Sequence, residues 1–437
     1  MHVSLNTSAR KIAFMLICLA AAGVYTAGVV RHYVAYRLST NADPGSLDRA
    51  ADLEPWNADP RWESGRYALL VSQYPAEAIS KLQAAVALNP HLARYWLDLA
   101  AAYQVLGDLS QHKSAIESAL KMEPSDPNVA WEAANFYLAQ NDLDHALPLF
   151  RVVIANDPKQ TSSALKLCWH ATQNVDVIRA QALPSEIPPY FTFLNLLVAE
   201  NETAPAGLVW HALLSLGKQF PTSDAFPYFD YLLQQQETET AVQVWDELVK
   251  RSTNLQSYTQ PGNSVIDGSL EKSFLNGGFD WRYSIQGAVQ LSIDSTEFHG
   301  GNQALRMVFK GPAVSDTGIF QYVPVHANSY YHFSVYTKSE DIESASGPRV
   351  AVLDAYSGQT YVLTDDSLST TGWRPQSADF RTGPETSLLV VTVRRVPGGP
   401  LIKGKFWIDD VSLVQREDES GLTDAGGRSA VNGRSLP

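Results

Sequence analysis

Adjacent carboxylates are the residues best suited to chemistry in this chain: Asp365 with Asp366, and Asp409 with Asp410. Two carboxyl groups can share glycosidase work, one as general acid and the other as base or nucleophile, when a deep cleft in a large catalytic fold holds them apart. No segment here has room for such a domain. The sequence also lacks a Gly-x-Ser-x-Gly elbow, a phosphate loop, a dinucleotide fingerprint and a His-Glu-x-x-His helix. With no converging catalytic set, the chain is expected not to be an enzyme. Its two cysteines, Cys18 and Cys168, offer neither a disulfide framework nor a cysteine metal site.

The elements around these residues must therefore position binding groups. At 437 residues the chain is too long for one ordinary core, and its 45% hydrophobic and 18% charged content suits folded domains. A net charge of −13 without a basic stripe argues against nucleic acid, because phosphate binding needs clustered cations.

After a short N-terminal tail (1–11), residues 12–30 carry no charge and match the length of a transmembrane helix. A cleaved signal peptide is the alternative, with Arg10 and Lys11 before the run and Ala20 to Gly23 as a cleavage region. The run continues apolar to Val30, longer than such signals require, which favours the anchor. A lipid anchor on Cys18 is disfavoured by Ile17 before it. Arg10 and Lys11 on one flank balance Arg31 and Arg37 on the other, so charge does not set the orientation.

Pro90, Pro124 and Pro158 recur every 34 residues. Four columns keep the same step: Trp62, Trp96, Ala130; Ala78, His112, Ala146; Leu82, Ile116, Phe150; and Ala85, Ala119, Val153. Trp96, Leu99, Ala100 and Tyr103 complete the pattern in the second unit. These residues, over about 59–160, resemble the tetratricopeptide family, whose helical hairpins stack into an all-α solenoid. Residues 43–160 are read as that solenoid, with a degenerate first hairpin, and 161–253 as divergent hairpins continuing it. Small residues let the paired helices approach, and Gly107-Asp108 and Asn141-Asp142 make the turns. The resemblance implies a concave groove that binds a protein partner. His112 reads as a packing substitution in a small-residue column.

Residues 254–269, rich in Gln, Ser, Asn and Gly, read as a linker. From 270 to 416 short alternating stretches predict an all-β sandwich: 288–293, 303–309, 331–337, 349–353, 388–394 and 405–413. Four patterns occur in order: Asn276-Gly277-Gly278-Phe279-Asp280-Trp281, His299-Gly300-Gly301-Asn302-Gln303-Ala304-Leu305-Arg306, Thr371-Gly372-Trp373-Arg374, and Phe406-Trp407-Ile408-Asp409-Asp410-Val411-Ser412-Leu413. Together they resemble the jelly-roll carbohydrate-binding modules of the galactose-binding-like superfamily.

That resemblance implies a structural calcium near Asp280, Asp409 and Asp410, oxygen ligands suited to a hard cation. Strand alternation puts Asp409 and Asp410 on opposite faces, so the alternative is that one caps loops and the other is solvated. It also implies sugar stacking on exposed aromatic rings, for which Trp281, Tyr283, Tyr322, Tyr356 and Tyr361 are the candidates. Trp373, in a patterned turn, is expected in the core. The tail 417–437 is expected to be disordered.

The whole reads as multidomain: an N-terminal transmembrane helix, an all-α tetratricopeptide-like solenoid and a C-terminal all-β jelly-roll sandwich. It resembles repeat proteins that accompany exopolysaccharide synthesis or export in the bacterial envelope. The expected role is a single-pass membrane scaffold, its soluble part outside the cytoplasm, binding a protein partner and polysaccharide. The alternative is a pure assembly protein whose sandwich binds no sugar.

Overall fold

The computed structural model describes residues 7–41 and 43–416. The expected disordered tail, 417–437, lies outside the described residues, as do the first six residues of the N-terminal tail. The chain divides after Gly217 into two compact units.

The first unit is all helical: α1 (Ser8–Ser39), α2 (Pro44–Leu53), α3 (Asp59–Leu70), α4 (Pro75–Leu88), α5 (Ala93–Leu106), α6 (Leu109–Met122), α7 (Pro127–Ala139), α8 (Leu143–Asn156), α9 (Thr161–Thr172), α10 (Val175–Gln181), α11 (Ile187–Ala199) and α12 (Thr203–Ser215). Among the described residues α1 alone is long and apolar enough to cross a bilayer, with a mean hydropathy of 2.1 over its most apolar stretch.

The 34-residue step is visible in the packing. Ala78, Leu82, Ala85, Ile116, Ala119, Ala146, Phe150 and Val153 are all buried between helices. Gly107 and Asn141, one step apart, both take left-handed backbone conformations at the hairpin turns. The next residues cap the following helices, Asp108 accepting from Gln111 N at 3.0 Å and Asp142 from His145 N at 3.3 Å. Each cap satisfies an orphan helix-start donor and contributes about 1 kcal/mol.

The second unit opens with a 3-10 turn (Thr222–Ala225), α13 (Phe226–Gln234), α14 (Thr238–Arg251) and α15 (Thr253–Gln256). Ten strands follow: β1 (Arg282–Tyr283), β2 (Val289–Asp294), β3 (Ala304–Gly311), β4 (Asp316–Pro324), β5 (Tyr330–Glu343), β6 (Arg349–Asp354), β7 (Thr360–Leu363), β8 (Ser369–Arg381), β9 (Leu388–Arg394) and β10 (Ile402–Arg416). They form two antiparallel five-stranded sheets, ordered β1-β4-β9-β6-β7 and β2-β3-β10-β5-β8. Alternate residues of the two sheets, among them Ile319, Val350 and Val391 from one and Met307, Phe333 and Phe406 from the other, fill one core. The sandwich is thus observed, and β1, β4, β7 and β8 are additional to the six strands expected.

The stretch 161–253, expected as one continuation of the array, is divided: α9 to α12 fall in the first unit, α13 and α14 in the second. These last two helices pack on the sandwich through its opening motif. A Cβ on Gly277 would stand 2.1 Å from the Phe226 ring, and one on Gly278, whose φ is +60°, 2.0 Å from the Trp245 ring. Only glycine leaves room for those rings. Phe279 then joins Phe229 at 4.7 Å and Trp245 at 6.0 Å, both edge to face. Residues 254–269, expected as a linker, contribute Val265 to the sandwich core and bury Asp267.

Candidate functional site

Three clefts, one in the first unit and two in the second, present binding chemistry. In the first unit, α5 and α7 run side by side with α6 behind them, enclosing a groove of about 290 Å³. Leu97, Ala101 and Phe136 supply apolar lining, and Gln104, Glu132 and Asn135 supply polar groups. His112 also lines it, stacking on Phe136 at 4.7 Å, and its Nδ1 is buried without a hydrogen-bond partner. Burial lowers the His112 pKa, so the ring is neutral in the fold. His112 therefore packs, as the small-residue column suggests, while facing a groove.

Beside the groove, burial raises the Glu132 carboxyl, with the Asp98 charge adding to it. Burial raises Asp98 as well, against the hydrogen bond from Trp62 Nε1 at 2.5 Å. The Cys168 thiol is buried and pushed up to about 12, which keeps it un-ionised and unreactive at neutral pH.

In the second unit the residues expected to share a calcium are scattered over separate tasks. Asp280 is fully buried; its Oδ2 accepts from Leu275 N at 2.6 Å while Oδ1 has no partner. Burial pushes its pKa up to about 7. Asp409, also fully buried, accepts three backbone donors: His299 N at 2.8 Å, Gly300 N at 3.1 Å and Asp410 N at 2.8 Å. Asp410 meets His299 Nδ1 at 2.6 Å. The expectation of opposite faces needs correction, since both carboxylates reach the same 299–300 loop. A bulge between Asp409 and Ser412, with Asp410 in a left-handed conformation, breaks the alternation. No group of three or more His, Cys, Asp or Glu side chains able to hold a metal occurs among the described residues. The structure does not gather Asp280 with Asp409 and Asp410 into one ligand set.

The five aromatic candidates separate in the same way. Trp281 is fully buried and donates from Nε1 to Asp267 O at 3.1 Å, so no sugar ring can reach it. Tyr361 is tied by its hydroxyl to Thr386 at 2.7 Å and to Gly383 N at 2.9 Å, and it stacks on Phe380. Tyr322 and Tyr356 line a cleft of about 260 Å³ with Arg282, Asp230 and Gln234. The Tyr356 hydroxyl meets Thr238 at 2.8 Å, and Arg282, paired to Asp230 at 2.6 Å, lies over Tyr322 at 5.2 Å. Asp230 and Gln234 come from α13, which sequence reasoning assigned to the solenoid; no signal in the sequence joined them to Tyr322.

Tyr283 is the most open of the five, 44% exposed. With Ile285, Leu291 and Ile293 it lines a cleft of about 430 Å³ beside the edge strands β1 and β2. Gln286 and Lys310 add polar groups. Trp373, expected in the core, is half-buried on the edge strand β8, 5.9 Å from the His299 ring.

No family model matches the chain, and no curated protein matches it. Several solved structures are similar over parts of it. A CBM4 module is 13% identical, over 35% of this chain and 99% of that one, with a TM-score of 0.27. The CBM22-1 xylan-binding domain from Paenibacillus barcinonensis is 15% identical, over 35% of this chain and 93% of that one, with a TM-score of 0.25. MamA is 13% identical, over 40% of this chain and 93% of that one, with a TM-score of 0.31. These are partial likenesses of fold. By its own helix pairs and sheet orders, the chain is an array of helical hairpins with a 34-residue step followed by a sandwich of two five-stranded antiparallel sheets.

Proposed function

We propose that this chain is a non-enzymatic scaffold, anchored in a membrane by α1, whose helical array recruits a protein segment. The observation that carries the reading is the α5–α7 groove. Its apolar lining takes a side chain, and the Gln104 amide and Asn135 Oδ1, whose Nδ2 donates to Trp131 O at 2.8 Å, offer hydrogen bonds to an extended backbone. A photoreactive amino acid at Ala101, compared with one at the exposed Lys121, tests it in intact membranes. A discrete adduct from position 101 alone is expected; equal labelling from both positions, or none, overturns it.

The sandwich is proposed to contact glycan through the Tyr283 cleft, where an open ring adjoins polar groups. The soluble part is then on the outer side of the membrane, in service of exopolysaccharide synthesis or export. A glycan array probed with the full chain and with Tyr283→Ala reads this out. Binding lost in the variant supports it. Silence on every glycan leaves the pure assembly role.

A further inference from the structure

The apolar run of α1 ends at Val30, and Arg31 follows. From Ile12 to Val30 a helix rises roughly 28 Å, close to the ~30 Å hydrocarbon thickness of a bilayer. If the run spans, Arg31 stands at the boundary between hydrocarbon and headgroups. The helix does not stop there. It continues unbroken to Ser39, and Ala35 is only 1% exposed, within the part that packs against α2. The extension of the spanning helix is therefore the first helix of the array.

After a short turn, α2 runs back toward the boundary. Leu53, its last residue, lines an open groove with Gly23, Ala27, Val30 and Arg31. Beyond it, the Trp56 ring lies 4.2 Å from the Arg31 guanidinium and is 59% exposed. The corner is locked in place. Glu54, 6% exposed, meets His32 Nδ1 at 2.7 Å and accepts from Asn57 Nδ2 at 3.0 Å. Burial favours the neutral acid, but these hydrogen bonds and the nearby cations hold Glu54 below the usual carboxylate range. Tyr33 and Tyr36, 60% and 61% exposed, project from α1 just past the boundary.

We propose that the corner from Leu53 to Trp56 is a foot seated in the headgroup layer of the bilayer that α1 crosses. The occupant follows from continuity: Trp56 touches the first charged residue after the spanning run, and it cannot sit far from the level of that residue. Tryptophan and tyrosine favour this layer because an apolar ring carries a polar edge, and arginine reaches phosphate from it. Two attachments, the spanning helix and the foot, fix both the height and the rotation of the first hairpins above the membrane. The proposal rests on α1 being retained as a spanning helix.

The full-length chain in phosphatidylcholine–phosphatidylglycerol vesicles tests it through tryptophan quenching by brominated lipids. The chain has ten tryptophans. A lipid brominated near the headgroup should quench roughly a tenth of the emission, a deeply brominated one less, and Trp56→Phe should abolish the difference. Equal quenching of wild type and Trp56→Phe overturns the foot. Should Trp56→Phe lose helix content by circular dichroism, a nitroxide on the exposed Pro55→Cys, in a chain carrying Cys18→Ser, replaces it. A label at headgroup depth supports the proposal, and one fully in water overturns it. Alkaline carbonate extraction separates the two levels: release of the chain defeats the anchor and the foot together, whereas retention without Trp56 quenching defeats the foot alone.

Discussion

The helical array and the sandwich unit place their key groups by opposite means. In the array, a turn, a cap and the small residues that let helices approach lie within one 34-residue step, so each feature is decided by near neighbours. In the second unit, decisive contacts join residues far apart: Arg282 with Asp230, Tyr356 with Thr238, and Asp409 with the 299–300 loop. Local errors are therefore expected to stay local in the first unit and to spread in the second. Single substitutions test this contrast.

The largest effect is expected from Gly278→Val. Its side chain would enter the space of the Trp245 ring at a left-handed backbone position, at a cost of about 3 kcal/mol or more. Thermal melting of the full chain should show the second unit's transition falling while the array's stays. A joint fall of both transitions would end the contrast.

Asp409→Asn comes next. Both carboxylate oxygens take backbone donors, and an amide offers one acceptor and turns its own N–H groups on the rest. A loss on the order of 2 kcal/mol is expected in denaturant unfolding, with faster hydrogen exchange at His299 and Gly300. Normal exchange there would show that the loop is held by other means.

Asp280→Asn should act in the opposite direction and depend on pH. The folded pKa of about 7 lies above the ordinary 3.8, so this group's contribution is full below about pH 4 and is lost as pH rises through 7. Asp267, pushed up to about 6 by burial, adds to the same slope. The variant should be more stable than wild type by on the order of 2 kcal/mol at pH 8 and about equal at pH 4. A pH-independent difference would refute the burial of an ionisable carboxyl as its cause.

The smallest effect is expected in the array, where Asp108→Ala removes a helix cap for about 1 kcal/mol. Hydrogen exchange should quicken at the start of α6 and leave α8 unchanged. Exchange spreading to α8 would make the array as cooperative as the sandwich.

The contrast also decides what can be read from sequence. Proline spacing and four columns, three of them buried, were enough to lay out the hairpins, because each unit repeats the same local problem. Strands with clear alternation, such as β3 and β5, were legible for a related reason. Others were not: β4 contains Gly318, and the edge strand β8 contains Gly372 and Pro375 and lacks a strongly apolar face. Of the site residues, Trp281 and Asp280 read as surface chemistry because their types suit it. Only the packing of the opening motif put both out of reach of solvent.

By itself the sequence determined the apolar run of α1, the helical step and the presence of a β-rich C-terminal region, all products of periodicity along the chain. Tertiary structure alone decided that α13 and α14 belong with the sandwich, that Asp409 and Asp410 serve one loop, and that Trp56 stands beside Arg31. The physical reason is that periodicity records which face of an element is buried, whereas the partner that buries it, often far along the chain, is chosen only by the packing of the whole unit.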